Sequence, residues 1–92
     1  MKLSVGEIVL SLDELTLRYQ VEAAGIEWKW SDHFCPAILT KKGEIPFTQW
    51  KEIHHTEFSC GVGKGIHSTY RNYLGKADSY SFDTIVWVEQ VN

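Results

Sequence analysis

The glycine-rich stretch GVGKGIHSTY, residues 61–70, has the composition of a loop that binds phosphate. A P-loop requires G-x-x-x-x-G-K-[ST] between a strand and a helix, and a dinucleotide-binding loop requires G-x-G-x-x-G at the start of a helix. Here Lys64 lies between glycines, and the residues after Gly65 are mostly β-formers. We therefore predict that the glycines permit a bulge, a tight bend or a close backbone approach in an antiparallel sheet. Lys64 would then face solvent or a ligand.

Histidine and cysteine side chains suggest a zinc site as a second kind of chemistry. His33-x-Cys35 has the spacing of a half-site to which Cys60 could add a sulfur, but no second paired motif completes it. His54 and His55 would face opposite sides of a strand, so one ion could not bind both without distortion. We therefore predict surface or sheet-packing histidines, no metal and no cofactor.

Two residue pairs could support catalysis. Cys60, followed by His67 seven residues later, is the candidate nucleophile with a base. Asp83 and Glu89 could supply the paired carboxylates of a glycoside hydrolase. A chain of 92 residues is short for a complete site of either kind, so we assign no catalytic residue and expect no activity from this chain alone.

Tryptophan side chains suggest binding. Trp28 and Trp30 are two residues apart and share one face of a predicted strand. Such rings stack on the apolar C–H faces of sugars, while neighbouring polar groups bind the hydroxyls. The favoured alternative for each ring is the inner face of a sandwich. Trp87 lies on a strand with two partly apolar faces, so it is either buried or presented with Glu89 to a partner. The candidate ligand-binding residues are Trp28, Trp30, Lys64, Arg71, Trp87 and Glu89.

Length and composition predict one globular domain, residues 1–92. The 43% hydrophobic content argues against disorder, and a net charge of −3 without a basic patch argues against a nucleic-acid partner. No apolar run approaches the roughly 18 residues of a membrane span, and no signal-peptide pattern is present, so we expect a soluble protein of unknown compartment. Cys35 and Cys60 could form one disulfide or remain two buried thiols, and the lack of a secretion signal favours thiols.

Alternation of apolar and polar residues dominates the chain and predicts strands. Residues 15–23 alternate strictly and follow Ile8, Leu10 and Leu12 at the same spacing, which predicts a hairpin with its turn at residues 12–14 rather than a helix over 7–23. Further strands are predicted at residues 26–30, 37–40, 45–47, 54–60, 66–73 and 80–89, with loops at 31–36 and 74–79.

These seven or eight short strands predict an all-β fold, either an antiparallel β-sandwich or a strongly curved sheet. The strongest predicted strand, residues 80–89, stands at the end of the sequence, which leaves little to cover its edge. We therefore also consider that the chain is a fragment of a larger β domain.

Three groups of residues carry a resemblance to a known family: Trp28-x-Trp30, Gly61-x-Gly63-x-Gly65-Ile66-x-Ser68-x-Tyr70 and Phe82-x-Thr84-x-Val86-Trp87-x-Glu89. Together they resemble the β-supersandwich segments at the front of some bacterial carbohydrate-active enzymes, which are related in fold to galactose-mutarotase-like domains. The resemblance covers most of the chain, consists of glycines and aromatic residues, and transfers no catalytic residue. It implies an antiparallel sandwich belonging to a sugar-processing protein.

The expected function is thus a non-catalytic carbohydrate-binding module, or an accessory domain of a bacterial glycoside hydrolase or other sugar-processing protein. The alternative is a structural or protein-interaction module that pairs with a partner through the edge of its C-terminal strand.

Overall fold

The computed structural model describes residues 1–76 and 80–91, and they form an almost entirely β structure. The strands are β1 (Lys2–Val5), β2 (Ile8–Leu12), β3 (Tyr19–Ala23), β4 (Ile26–Lys29), β5 (Ala37–Thr40), β6 (Gly43–Pro46), β7 (Trp50–Cys60), β8 (Gly63–Tyr73) and β9 (Phe82–Glu89). One 3-10 turn, Phe47–Gln49, separates β6 from β7. In the described parts of the chain, no helix has the length and apolar character that a membrane crossing requires.

Antiparallel pairing organises the strands into three sheets. We call β1-β2-β3-β4 the N-terminal sheet, β5-β6 the middle hairpin and β7-β8-β9 the C-terminal sheet. The N-terminal and C-terminal sheets pack face to face, with β1 over β8 and β2 over β9. The predicted all-β antiparallel fold is therefore confirmed, and its sandwich has four strands in one layer and three in the other.

Two apolar clusters fill the space between the layers. The first joins Leu3, Leu10, Leu12 and Tyr19 of the N-terminal sheet to Ile66 of β8. Leu10 and Ile66 are fully buried, and burying a side chain of this size stabilises the fold by about 1.5–3 kcal/mol.

The second cluster is largely aromatic and closes the end of the sandwich beneath the middle hairpin. Leu17, Trp50 and Tyr70 are its buried members. The rings of Tyr70 and Phe82 stack with their centroids 4.3 Å apart, and Trp50 meets Phe82 edge to face at 4.8 Å. Such pairs add about 0.5–1.5 kcal/mol beyond the area they bury.

The hairpin of β2 and β3 is present, but the prediction that its second strand begins at residue 15 is wrong. The Asp13 carboxylate accepts hydrogen bonds from the N–H groups of Leu15 and Thr16, at 2.8 and 3.1 Å, which holds residues 13–18 in a turn. Leu17 adopts a positive φ of 63° and is buried in the second cluster, whereas Leu15 is exposed. The alternation of apolar and polar residues here therefore belongs to a turn, because hydrogen bonds to the Asp13 carboxylate compete with strand pairing.

The other strands agree with the predictions to within a few residues, with one addition. The strand β1 was not predicted, and it pairs with β2 through a two-residue turn at Gly6. Strand β7 begins at Trp50, four residues before the predicted start at residue 54. Part of the predicted loop at 74–79 lies outside the described residues.

The glycine stretch forms a hairpin and a close contact, as predicted, and leads into a strand. Gly61 has a φ of 56° at the first position of the two-residue turn between β7 and β8, as type II′ turns require. At Gly65 an added Cβ would collide with the carbonyl oxygen of Val86 and would lie 2.6 Å from the Cβ of Trp87. Because β8 follows the turn, no helix N-terminus is available here to bind phosphate.

We predict that Gly65→Ala lowers the free energy of unfolding by about 1–3 kcal/mol or more, the usual cost of overpacking, because the new methyl group meets backbone that cannot yield. Urea unfolding followed by circular dichroism would measure this. The neighbouring Lys64→Ala removes an exposed side chain and should change stability by less than about 0.5 kcal/mol. Equal stability of the two variants would contradict the close approach of β8 and β9.

Candidate functional site

Trp30 directly follows β4 and is held between two other aromatic rings. Its ring meets that of Tyr19 edge to face at 5.5 Å and that of Phe34 at 4.9 Å. The backbone N–H of Trp30 donates to the Tyr19 carbonyl oxygen at 3.4 Å, which extends the pairing with β3 by one residue. Trp30 nevertheless keeps 40% of its surface exposed. The result is an accessible indole whose orientation is restrained by its neighbours.

A cleft of about 410 Å³, which we call the Trp30 cleft, opens beside this ring. Its walls come from the outer surface of the N-terminal sheet, where Gln20 lies opposite Lys29 across the β3–β4 pair. Arg18 and Asp32 also line it, the first before β3 and the second in the loop after Trp30. The cleft thus brings an aromatic ring together with hydrogen-bond donors and acceptors.

The polar groups of the Trp30 cleft are largely available to a ligand. Neither Gln20 nor Asp32 has a side-chain hydrogen bond or ion pair within the described ranges 1–76 and 80–91. Arg18 uses its Nε–H to reach the Phe34 carbonyl oxygen at 2.6 Å, which ties the loop to the start of β3. Lys29 lies 3.9 Å from Glu27, and an exposed pair of this kind contributes little.

Trp28 faces a second and more apolar cavity of about 250 Å³, which we call the Trp28 groove. Leu10, Val21 and Val86 line it together with Tyr19 and Trp30. The interpretation that Trp28 and Trp30 fill the core is wrong, because 56% and 40% of their surfaces are exposed. Both rings are on the side of the N-terminal sheet that carries the core, but they extend beyond the three strands that cover it.

Trp87 is exposed on the outer face of the C-terminal sheet, so of the two alternatives for this strand, burial on both faces is wrong. It lies opposite Gly65, and Gly65 lies opposite Phe58 on β7. Without a side chain at Gly65, the two aromatic residues approach each other over the backbone of β8. Glu89 shares this face and lies opposite Gly63.

Arg71 is engaged by its own sheet. Its Nη1 donates to Asp83 Oδ1 at 2.8 Å and to the carbonyl oxygens of Tyr70 and Phe82 at 3.1 Å. His67 Nε2 lies 3.0 Å from the other oxygen of Asp83. The hydrogen bond with His67, followed by that from Arg71, holds the pKa of Asp83 below its ordinary value. This network satisfies the groups that a sugar hydroxyl would otherwise bind.

The six predicted binding residues therefore occupy separate places. Trp30 lies in the Trp30 cleft, Trp28 in the groove, and Arg71, Trp87 and Glu89 are on the outer face of the C-terminal sheet. Lys64 is opposite Val88, one residue out of phase with Trp87, and so faces the other side. Sequence reasoning missed Arg18 and Gln20 as neighbours of Trp30, because strand pairing brings them together and no spacing along the chain reveals it.

The catalytic pairs considered from the sequence are not assembled. Cys60 is opposite Gly63, four residues along β8 from His67, which is engaged with Asp83. Asp83 and Glu89 lie six residues apart on β9, about 20 Å, whereas glycosidase carboxylates are about 5–9.5 Å apart.

A serine–histidine contact is present, but it lies inside the sandwich. His55 Nδ1 lies 2.6 Å from Ser68 Oγ. Ser68 is fully buried and His55 is half-buried, and desolvation lowers the pKa of His55. The serine hydroxyl is therefore not accessible to a substrate.

Metal ligands and disulfides were also considered from the sequence. Among the described residues, no three His, Cys, Asp or Glu side chains are grouped as metal ligands. Cys35 and Cys60 are free thiols, but the expectation that they are buried is wrong. Both are exposed, since one lies in the loop before Pro36 and the other at the end of β7.

The sequence matches no protein-family model and no curated protein sequence. Its structure is similar to part of α-N-acetylgalactosaminidase NagBb from Bifidobacterium bifidum. The TM-score is 0.82 at 26% identity for the GalNAc complex and 0.82 at 28% identity for the ligand-free enzyme. Both comparisons cover 97% of this chain and 14% of that chain. The chain thus corresponds in fold to a segment of a much longer bacterial glycoside hydrolase.

The Asp83 network predicts a specific acid response. Because the folded-state pKa of Asp83 is lowered, the unfolded chain binds this proton more readily. The network therefore contributes stability above the ordinary value of 3.8, and this contribution is lost as the pH falls through the folded-state pKa. We predict that in Asp83→Asn the free energy of unfolding falls less steeply with pH below about pH 4 than in the unaltered protein.

Urea unfolding at a series of pH values would measure this slope. Asp32→Asn is the matched control, because it removes a carboxylate without such partners and should preserve the slope. Identical acid profiles for Asp83→Asn and the unaltered protein would contradict the role of this network.

Proposed function

We propose that this chain is a non-catalytic β-sandwich module of a carbohydrate-active protein and that it contacts sugar in the Trp30 cleft. The main support is the Trp30 cleft itself, where a restrained, exposed indole lies beside hydrogen-bonding side chains with unused capacity. The similarity to a segment of NagBb, whose name describes action on N-acetylgalactosamine, supports a carbohydrate-related role from a separate direction.

The chemistry of the Trp30 cleft suits a sugar ring. The apolar C–H face of a sugar would stack on the Trp30 indole, and the ring hydroxyls would meet Arg18, Gln20 and Asp32. The volume of about 410 Å³ lies within the range of about 300–1,000 Å³ for small-molecule sites. Tyr19 and Phe34 restrain Trp30 before binding, which reduces the entropy that a ligand must overcome.

The outer face around Trp87 is a less suitable sugar site. Its nearest charged neighbour on β9 is the single carboxylate of Glu89, and the more distant Arg71 and Asp83 already bind each other. Trp87 also lies on an open sheet surface rather than in a concave site. A sugar stacked there would gain the ring contact but few hydrogen bonds, so we assign the contact to Trp30.

We predict that Trp30→Ala weakens sugar binding at least about tenfold, which corresponds to a loss of about 1.4 kcal/mol, because the stacking surface is removed. Titration of the ¹⁵N-labelled chain with GalNAc, galactose and their disaccharides, followed by proton–nitrogen correlation spectra, would measure the affinity. Trp30→Phe keeps a smaller ring and should retain part of the binding.

Trp87→Ala is the matched control, because it removes another exposed indole, 54% exposed against 40% for Trp30, from the other sheet. Its sugar affinity should equal that of the unaltered chain. Loss of binding in Trp87→Ala but not in Trp30→Ala would move the site to the outer face. The absence of any sugar-dependent shift in the folded chain would overturn the proposal of direct sugar contact.

A further inference from the structure

The two layers of the sandwich have unequal widths. Because β1 lies over β8 and β2 over β9, β4 and the part of β3 after the buried Tyr19 extend past the edge of the C-terminal sheet. The inner face of these strands remains apolar, with Val21 on β3 opposite Trp28 on β4. Ile26 and Trp28 each leave more than half of their surface exposed. An apolar face of this kind normally lies against a second layer.

Strand β9 forms the edge of the C-terminal sheet beside this uncovered face. It pairs with β8 from Phe82 to Glu89, and no other strand in the described part of the chain pairs with it. Alternate residues of β9 therefore present backbone N–H and C=O groups without a strand partner. The edge is eight residues long and contains neither proline nor lysine, the residues that commonly protect an edge from further pairing.

The Trp28 groove joins these two features. Its lining combines Val86 of β9 with Leu10, Val21 and Trp28 of the N-terminal sheet. A strand paired to the free edge of β9 would lie about 4.8 Å from β9, the normal spacing between paired strands. It would then lie beneath β3 of the opposite layer. Every second side chain of that strand would point into the groove, because side chains alternate between the faces of a sheet.

We propose that a polypeptide segment from outside these 92 residues adds to β9 as a fourth strand of the C-terminal sheet and inserts apolar side chains into the Trp28 groove. Affinity would come from backbone hydrogen bonds along β9, and specificity from the apolar contacts with Trp28 and Val86. This proposal does not depend on sugar binding, because its site is formed by β9 and Trp28, and neither of them lines the Trp30 cleft.

A symmetric second copy of this chain does not fit the site. If two copies joined through β9, the β2 strand of the second copy would lie over its own β9. That position is already occupied by β3 of the first copy, so the two N-terminal sheets would collide. The occupant must therefore be an extended segment without a layer of its own above it.

The outward-facing residues of β9 indicate which charges the added segment should carry on its solvent-facing side. Glu89 is exposed on the outer face and forms no ion pair within the described residues, whereas Asp83 is already paired with Arg71 and His67. Opposite charges on neighbouring strands contribute about 0.2–1 kcal/mol, whereas like charges directly opposite destabilise the pair. The fitting segment therefore alternates aliphatic residues that face the groove with polar or basic residues that face solvent.

A synthetic octapeptide that alternates valine with lysine or threonine is the probe for this site. We expect it to shift the amide resonances of residues 82–89 and the indole resonance of Trp28 in spectra of the ¹⁵N-labelled chain. Two N-methylated forms provide the controls, one methylated on the valines and the other on the polar residues. The N–H groups of the valines point to one edge of the extended peptide and those of the polar residues to the other, so each form blocks hydrogen bonding along one edge. With the valines in the groove, only one edge faces β9, so one form should bind and the other should not.

Trp28→Lys should weaken peptide binding at least about tenfold, because it places a charge in the groove. Trp28 is half exposed, so this variant should fold, and its spectrum without peptide verifies this. Leu39→Lys is the matched control, because it places the same charge at an exposed apolar position on β5 and should leave the affinity unchanged.

Three outcomes would overturn the proposal. The first is the absence of shifts in residues 82–89 at about 1 mM peptide, the weak limit of specific binding. The second is equal binding of the two N-methylated peptides or unchanged affinity in Trp28→Lys. The third is self-association that occurs without peptide and is lost in Trp28→Lys, which would make the occupant another copy. Sugar binding that fails in Trp30→Ala would have no bearing on these results.

Discussion

The inner face of the N-terminal sheet is apolar on all four strands, but the C-terminal sheet covers it only over β1, β2 and the start of β3. Leu3 and Leu10 are buried on the covered part of this face, and Trp28 is half exposed on the uncovered part. The same alternation of side chains thus produces core in one place and accessible aromatic surface in another. A domain of this size buries only about 60% of its unfolded surface, so the covered strands and the aromatic cluster around Trp50 and Tyr70 must provide most of its stability.

The outer face of the C-terminal sheet depends on a second constraint, the missing side chain at Gly65. Trp87 and Phe58 can occupy neighbouring strands around it only because β8 has no Cβ there. Further along the same face, Asp83 accepts hydrogen bonds from both His67 and Arg71, which joins β8 to β9 by side chains as well as backbone. The aromatic and ionic contacts therefore hold β9 in register on one edge, although its other edge has no strand partner among the described residues.

Local patterns in the sequence predicted the features that depend on local physics. The period-two pattern of residues 82–89 correctly separates the inward Val86 and Val88 from the outward Trp87 and Glu89. It failed at residues 15–18, because hydrogen bonds to the Asp13 carboxylate produce the same alternation in a turn. The exposure of Trp28 and Trp30 could not be predicted, since it depends on how many strands the opposite layer contains. Arg18 and Gln20 were missed as neighbours of Trp30 because they are distant from it in sequence and are brought close by the pairing of β3 with β4.

Trp30 links the two proposed sites, because it lines both the Trp30 cleft and the Trp28 groove. A strand added along β9 would pack against the groove side of the indole and leave its cleft side open. The ring would then be restrained by the added strand as well as by Tyr19 and Phe34. Since restraint before binding lowers the entropy lost on binding, strand addition would strengthen sugar binding, and by thermodynamic reciprocity sugar would strengthen strand addition by the same factor. Together the two proposals therefore predict a higher sugar affinity for a strand-bound form than for the isolated chain.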